Sequence, residues 1–208
     1  MRAIAIALAC AACTSGRVEH VAAAVQLHVI GDGTTDTFDV TTAAGDAIVL
    51  LVGCEAGAMP PAAVDLSAPG WTFAEMSPPL ASGALYAASF AAIAPSAGTH
   101  AFTATWSSSC MRRIALGDEF AGVATFAANG EASSGCSTTI APAPNQAVWA
   151  ACYLNTGVVA PGHGFTKGAD DGFGDWSEYA LASAPDQVTF ELATANEELV
   201  EAVALRPR

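Results

Sequence analysis

The chain has 208 residues, of which 52% are hydrophobic and 13% are charged, so it is too apolar to be disordered and long enough to bury a sizeable core. Its 20 acidic and 7 basic residues give a formal net charge of -13, which repels the phosphate backbone of nucleic acids. The composition therefore predicts a compact globular protein and no nucleic-acid partner.

The N-terminus has the pattern of an export signal. A positive charge at Arg2 precedes the apolar residues 3–12, and polar character begins at Thr14, directly after Cys13. As a helix, an apolar run of this length covers only about half of a bilayer core, and no later run reaches the roughly 20 residues that a span needs. We therefore expect a secretory signal peptide and no transmembrane helix.

The residues around Cys13 resemble a bacterial lipoprotein signal, in which small residues precede a cysteine that is acylated and becomes the mature N-terminus. Ala11, Ala12 and Cys13 match the last three positions of that pattern, whereas Cys10 stands where the pattern prefers leucine. Cys10 is the alternative attachment site, and an ordinary secreted protein is the other alternative. The resemblance implies a signal peptide over residues 1–13 and a tether over residues 14–24. It implies an outer-membrane or cell-surface location, with the membrane contacted only through the N-terminal lipid.

The next segments predict strands and turns in chain order. Residues 31–36, Gly-Asp-Gly-Thr-Thr-Asp, predict a hairpin turn, with a cation-binding loop as the alternative. Residues 47–52 are continuously apolar, which predicts a central strand covered on both faces. Residues 80–93 are rich in alanine, which favours a helix, but Leu85, Tyr86 and the flanking turn residues favour a strand, and we predict a strand.

The second part of the chain continues this pattern. Residues 102–107 and 188–193 alternate apolar and polar side chains with a period of two, which is typical of half-buried strands. Residues 200–205 are apolar apart from Glu201 and predict a second central strand. Proline and glycine breaks recur too often for long helices to fit between them. The predicted fold class is therefore all-β, an antiparallel β-sandwich.

Five features recur in the same order in both halves of the chain and indicate an internal repeat. They are residues 45–54 with 145–152, 70–72 with 164–166, Tyr86 with Tyr179, the Phe102 strand with the Phe190 strand, and residues 114–116 with 203–205. Either half alone would leave its apolar strands uncovered. We predict one sandwich domain over residues 25–208, with half-repeats of about 25–126 and 127–208, and two separate domains as the alternative.

Together with residues 119–123 and 202–207, these motifs resemble those of a group of β-sandwich proteins from bacterial secretomes and phage virions. The resemblance extends over nearly the whole mature chain. It implies a jelly-roll or immunoglobulin-like sandwich and a surface or virion location. It implies no reaction.

Four cysteines follow the leader: Cys54, Cys110, Cys136 and Cys152. An even number in an exported protein predicts two disulfides, and three pairings are open. None of the four lies in a Cys-x-x-Cys motif or has a histidine at metal-ligand spacing, so we expect no zinc site at the cysteines.

The sequence contains no nucleophile elbow, no zinc-protease helix motif, no P-loop and no dinucleotide fingerprint. The histidines are scattered at His20, His28, His100 and His163. The adjacent carboxylates at positions 118 and 119 point to opposite faces of a predicted strand, so they cannot flank one glycosidic bond together. We expect no enzyme and no cofactor.

Two groups of residues are candidate sites. Asp170, Asp171 and Asp175 lie among glycines in residues 168–176, which suits calcium, although a solvated acidic turn is the interpretation that we favour. Trp71, Trp176 and Tyr179 lie next to loops, where aromatic faces can stack on sugar rings, although packing in the core is the simpler fate for each.

The sequence thus predicts a non-catalytic exported surface lipoprotein, a binding, adhesion or structural module whose partner is a glycan or a surface protein. One alternative is a carbohydrate-binding accessory protein, which needs at least two of the three aromatic side chains in one groove. The second alternative is a concanavalin-like glycoside hydrolase, which needs two carboxylates about 5 to 10 Å apart in a cleft.

Overall fold

The structure is a computed structural model that describes residues 16–57, 63–77, 79–154, 157–181, 185, 187–192 and 197–208, with the backbone alone at 128 and 129. Its regular elements are all strands. They are β1 (Glu19–Thr42), β2 (Ala47–Glu55), β3 (Val64–Ser67), β4 (Ala74–Glu75), β5 (Leu80–Ser82), β6 (Leu85–Ile93), β7 (Gly98–Ala121), β8 (Val123–Ala132), β9 (Ser137–Thr139), β10 (Ala147–Leu154), β11 (Val158–Ala160), β12 (Thr166–Asp170), β13 (Trp176–Ala180), β14 (Gln187–Thr189), β15 (Glu191–Leu192) and β16 (Glu198–Pro207). The predicted all-β class is confirmed.

The strands form two main sheets. The first sheet has the order β1-β7-β2-β6-β4, with β3 added to β7 and β5 added to β6. The second sheet has the order β12-β13-β10-β16-β8, and two small sheets pair β11 with β15 and β9 with β14. Every strand pairing among the described residues is antiparallel.

The two main sheets share a central core, which makes the fold a sandwich. One face of β2 and β7 packs against one face of β10 and β16. The largest side chains of this central core are Leu51, Leu85, Ile114, Leu116, Phe120, Trp149, Tyr153, Leu199 and Leu205. The predicted central strands at residues 47–52 and 200–205 are confirmed, because β2 and β16 are buried along both faces.

The first sheet covers its own outer face. Strands β1 and β7 are 24 residues long each, and their pairing shifts register on both sides of Gly33. Beyond this β-bulge their distal parts, together with β3, pack over the outer side of β2 and β6. The resulting first outer core contains Phe38, Val40, Ile48, Leu50, Val52, Leu66, Tyr86, Phe90, Phe102 and Trp106.

The predicted hairpin turn at residues 31–36 is therefore wrong, because these residues lie inside β1. The guanidinium group of Arg113 fills the inside of the bend. It donates to the carbonyl groups of Gly31 and Cys110 and pairs with Asp36 at 2.5 Å. A Cβ atom on Gly33 would lie 2.8 Å from this guanidinium, so a larger residue there would displace the Arg113 side chain.

Short separate strands cover the outer face of the second sheet. Strands β9 and β14 form one small sheet, and β11 and β15 form the other. The second outer core beneath them contains Ile140, Val148, Leu154, Val158, Phe165, Val188, Phe190 and Val200.

Each outer core contains one disulfide. Cys54 pairs with Cys110 across 56 residues, and Cys136 pairs with Cys152 across 16 residues. The prediction of two disulfides is confirmed, and the structure selects one of the three pairings.

The structure also tests the sequence predictions for two further segments. Residues 80–93 form β5, a turn at Gly83 and β6, so the predicted strand is confirmed in place of a helix. The predicted tether over residues 14–24 is too long, because β1 begins at Glu19 and Val18 is already 1% exposed in the central core. Alanines at positions 22–24 hide the period of two in this part of β1.

The strand orders of the two sheets correspond position by position when β2 is placed beside β10 and β7 beside β16. The internal repeat itself stays a prediction. The signal peptide, Cys10 and Cys13 lie outside the described residues. Within the described ranges, the structure contains no helix with the length and apolar character needed to cross a membrane.

Candidate functional site

The candidate site lies on a seam where the edge strand of the first sheet meets the second sheet. Strand β1 carries His20 and His28, and each histidine contacts an aspartate that is far away in sequence. Because β1 lies at the edge of its sheet, its side chains reach the β12–β13 hairpin of the other sheet. We refer to these two contacts and their neighbours as the seam.

At one end of the seam, Asp118 is fully buried and all its acceptor oxygens are used. Its Oδ1 lies 2.9 Å from His20 Nε2, and its Oδ2 accepts hydrogen bonds from Trp149 Nε1 at 2.8 Å and from the Ser177 hydroxyl. Tyr179 stacks on the His20 ring with 4.0 Å between centroids. This end is a closed polar network inside the central core.

The Asp118 network contains the side chains of a serine hydrolase in an order that does not support that chemistry. The aspartate lies between the serine and the histidine, so His20 has no hydrogen bond to the Ser177 hydroxyl through which it could accept a proton. Ser177 is also 0% exposed and accepts a hydrogen bond from the amide of Ala169 at 2.6 Å. We interpret this end as structural.

At the other end, Asp171 organises the turn between β12 and β13. Its Oδ1 accepts hydrogen bonds from the backbone amides of Phe173, Gly174 and Asp175 at 2.8, 3.1 and 3.1 Å. Gly172 and Gly174 have φ angles of 79° and 115°, which glycine adopts without strain. The turn leaves Asp171 Oδ2 directed at His28 Nδ1, 2.6 Å away.

Asp175 completes this end of the seam. Its Oδ1 accepts a hydrogen bond from the amide of Leu154 at 2.9 Å, whereas its Oδ2 has no hydrogen-bond partner among the described residues. Arg112 Nη1 lies 3.8 Å from Oδ2, and Arg112 Nε also pairs with Glu55 at 3.0 Å. Burial, and then the facing carboxylate of Asp171, raises the pKa of Asp175 well above its usual range, against the opposing charge of Arg112.

Ligand atoms of His28, Asp171 and Asp175 all lie within 4.8 Å of one another. The side chains of His28 and Asp171 are 6% and 0% exposed, and Asp175 is 1% exposed. Phe173, itself 66% exposed, stacks on the His28 ring at 4.0 Å. The arrangement is a shielded cluster of one imidazole and two carboxylates.

The structure brings together two of the three residues predicted for calcium. Asp171 and Asp175 face each other, but Asp170 binds the Lys167 ammonium group and the amide of Gly172 instead. In the other candidate cation loop, Asp36 is held by Arg113. The three candidate calcium ligands therefore do not form one cluster, and His28 is the third group beside Asp171 and Asp175.

The predicted aromatic residues are divided among three different cores. Trp71 packs on Phe102 of the first outer core, with ring centroids 4.8 Å apart. Trp176 packs against the second outer core and carries the Lys167 ammonium 3.4 Å from its ring centroid. Tyr179 packs against the central core. The structure does not bring these three side chains together in one groove.

The remaining polar candidates from the sequence are the adjacent carboxylates of β7 and two further histidines. Asp118 and Glu119 point to opposite faces of β7 as predicted, since Glu119 binds the Thr42 hydroxyl at 2.6 Å while Asp118 faces the central core. His100 Nε2 contacts the carbonyl of Ser96 at 3.2 Å, and His163 is exposed.

Sequence reasoning missed the roles of His20 and His28. Their partners are 98 and 143 residues away, and no spacing rule links them. No protein-family model, curated protein or solved structure matches this chain.

Proposed function

We propose that this protein is an exported, non-catalytic binding or structural module that an N-terminal lipid on Cys13 holds at a cell surface. The observation that carries the proposal is the pair of interior disulfides, Cys54–Cys110 and Cys136–Cys152. Disulfides of this kind form and persist in oxidising compartments and are rare in the bacterial cytosol. They agree with a leader whose residues resemble a lipoprotein signal.

The chain between the predicted lipid-bearing cysteine and the folded sandwich is short. Val18 is buried, and β1 begins at Glu19 beside the end of β7. Five residue steps separate Cys13 from Val18, and extended chain covers at most about 3.5 Å per residue. A lipid on Cys13 would therefore hold the sandwich within about 18 Å of its anchor point.

The geometry of the described residues gives less support to the two alternatives. Carbohydrate binding requires aromatic faces in one groove, and Trp71, Trp176 and Tyr179 pack on three separate cores. A retaining glycosidase requires two accessible carboxylates. Asp171 and Asp175 have the proximity but are buried, and Asp175 also binds the Leu154 amide.

Replacement of the predicted lipid-bearing cysteine tests this function. In a bacterial host that processes lipoproteins, we expect the unaltered full-length protein in the membrane fraction and Cys13→Ser in the soluble exported fraction. Cys10→Ser is the matched control and should stay with the membrane. Release by Cys10→Ser alone would move the anchor to Cys10, and recovery of all three proteins in the cytosol would overturn the proposal.

A further inference from the structure

The end of the seam that contains Asp171 has the composition and burial of a metal site. It brings one histidine from β1 together with two aspartates from the β12–β13 turn, all within 4.8 Å. An acidic pair alone would not indicate a ligand. Here, however, Asp175 Oδ2 is buried without a hydrogen-bond partner among the described residues, and leaving a buried carboxylate oxygen in this state destabilises the fold.

We propose that His28, Asp171 and Asp175 bind a divalent transition-metal ion of the zinc class. One imidazole nitrogen and two carboxylate oxygens supply three protein ligands and leave a fourth position for water. Calcium is a poorer fit, because it takes 6 to 8 oxygen ligands and does not select imidazole.

The geometry requires only side-chain adjustment. A tetrahedral ion with bonds of about 2.0 to 2.1 Å places its ligand atoms about 3.3 Å apart. The His28–Asp171 contact of 2.6 Å would open, and the widest separation, at most 4.8 Å, would close. Asp171 would keep its three backbone hydrogen bonds through Oδ1, because the metal takes Oδ2.

The local charge favours a dication. With the three carboxylates (Glu55, Asp171 and Asp175) ionised and His28 neutral, as a metal ligand must be, the one guanidinium of Arg112 leaves a surplus of two negative charges. Arg112 lies closer to Glu55 than to Asp175: its Nε is 3.0 Å from Glu55 Oε2, and its Nη1 is 3.8 Å from Asp175 Oδ2. A divalent ion would neutralise the surplus and fill the place opposite Asp175 Oδ2.

Bound metal would also connect the two sheets. His28 belongs to the first sheet, and both aspartates belong to the hairpin at the edge of the second sheet. An ion that binds only this folded arrangement stabilises it by an amount that grows with the logarithm of the free ion concentration. The function of the site would be to fix the edge strand β1 on the β12–β13 turn.

The test is calorimetric titration of the disulfide-bonded, chelator-stripped full chain with Zn²⁺, together with Co²⁺ absorption as a report on ligand geometry. We expect one Zn²⁺ per chain, tetrahedral Co²⁺ bands, and a melting temperature that rises with Zn²⁺. His28→Ala and Asp175→Asn should each weaken Zn²⁺ binding by about 10- to 100-fold or more.

Two controls match these variants. Asp170→Asn removes the neighbouring aspartate that binds Lys167, and His163→Ala removes an exposed histidine, and neither should alter the affinity for Zn²⁺. Asp175→Asn keeps an oxygen for the Leu154 amide, so it should fold even if His28→Ala does not. Absence of stoichiometric Zn²⁺ binding, binding unchanged by Asp175→Asn, or Ca²⁺ binding as tight as Zn²⁺ binding would overturn the proposal.

Discussion

The two sheets of this protein bury their outer faces in different ways. The first sheet uses the continuation of its own strands, since β1 and β7 bend at Gly33 and fold back over β2 and β6. The second sheet relies on four short strands that are separate from it. A continuous strand that turns back on its own sheet needs a device that fixes the bend, and Arg113 supplies it. A cover of short strands depends instead on many local contacts.

The largest expected loss of stability follows from removing the charge of Arg113 at the bend. Arg113→Met should lower the free energy of unfolding by about 4 kcal/mol, because it leaves Asp36 unpaired and removes donors from two carbonyl groups in a nearly buried site. Urea unfolding with a tryptophan fluorescence readout measures the effect.

The matched control in the second sheet is Lys167→Met. Lys167 and Asp170 are 35% and 33% exposed, so loss of this ion pair and of the contact with Trp176 should cost about 1 kcal/mol or less. Equal losses in the two variants would contradict the view that Arg113 fixes the bend.

A second, smaller difference concerns buried carboxylates. In the first sheet, Glu119 accepts hydrogen bonds from the Thr42 hydroxyl and the Ala43 amide. In the second sheet, burial raises the pKa of Glu201 to about 7, against hydrogen bonds from Ser77 and Ser89. Burial likewise raises the pKa of Glu178 to about 7. Folding therefore shifts both second-sheet acids toward the protonated form, relative to a glutamate in water.

Glu201→Gln should therefore flatten the pH dependence of stability. A carboxyl group whose pKa is raised by folding stabilises the protein fully below its unfolded pKa, near 4.5, and this contribution is lost as the pH rises to about 7. Relative to the variant, the unaltered protein should lose about 3 kcal/mol between these pH values. Chemical unfolding at pH 4, 6 and 8, with the exposed Glu191→Gln as control, measures the difference. A parallel pH dependence in Glu201→Gln and the unaltered protein would show that folding does not raise the pKa of Glu201.

The sequence predicted the parts of the fold that depend on local pattern. A continuous apolar run identified β2, and a run that is apolar apart from Glu201 identified β16. The period of two identified the β7 segment around Phe102, and the cysteine count predicted two disulfides. The strands could be predicted because the burial of each position in a strand determines whether its residue is apolar or polar. The opposite orientations of Asp118 and Glu119 followed from the same rule.

The features that sequence missed depend on contacts between distant segments. Residues 31–36 have the composition of a turn, but Arg113, about eighty residues later, holds them in a bulged strand. His28 meets Asp171 only because an edge strand of one sheet lies beside a hairpin of the other. Local propensity carries no information about such contacts, so the sequence offered Asp170 as the third member of the weaker calcium alternative, whereas the structure places His28 beside Asp171 and Asp175.

Export and lipid anchoring are tested most directly by the intact mass of the protein recovered from membranes of its source cell, with and without a reductant. We expect a chain that begins at an acylated Cys13 and gains about four hydrogens on reduction, because both disulfides are closed in the exported protein. An unprocessed leader with four free thiols after it would contradict export, the lipid anchor and the surface role together.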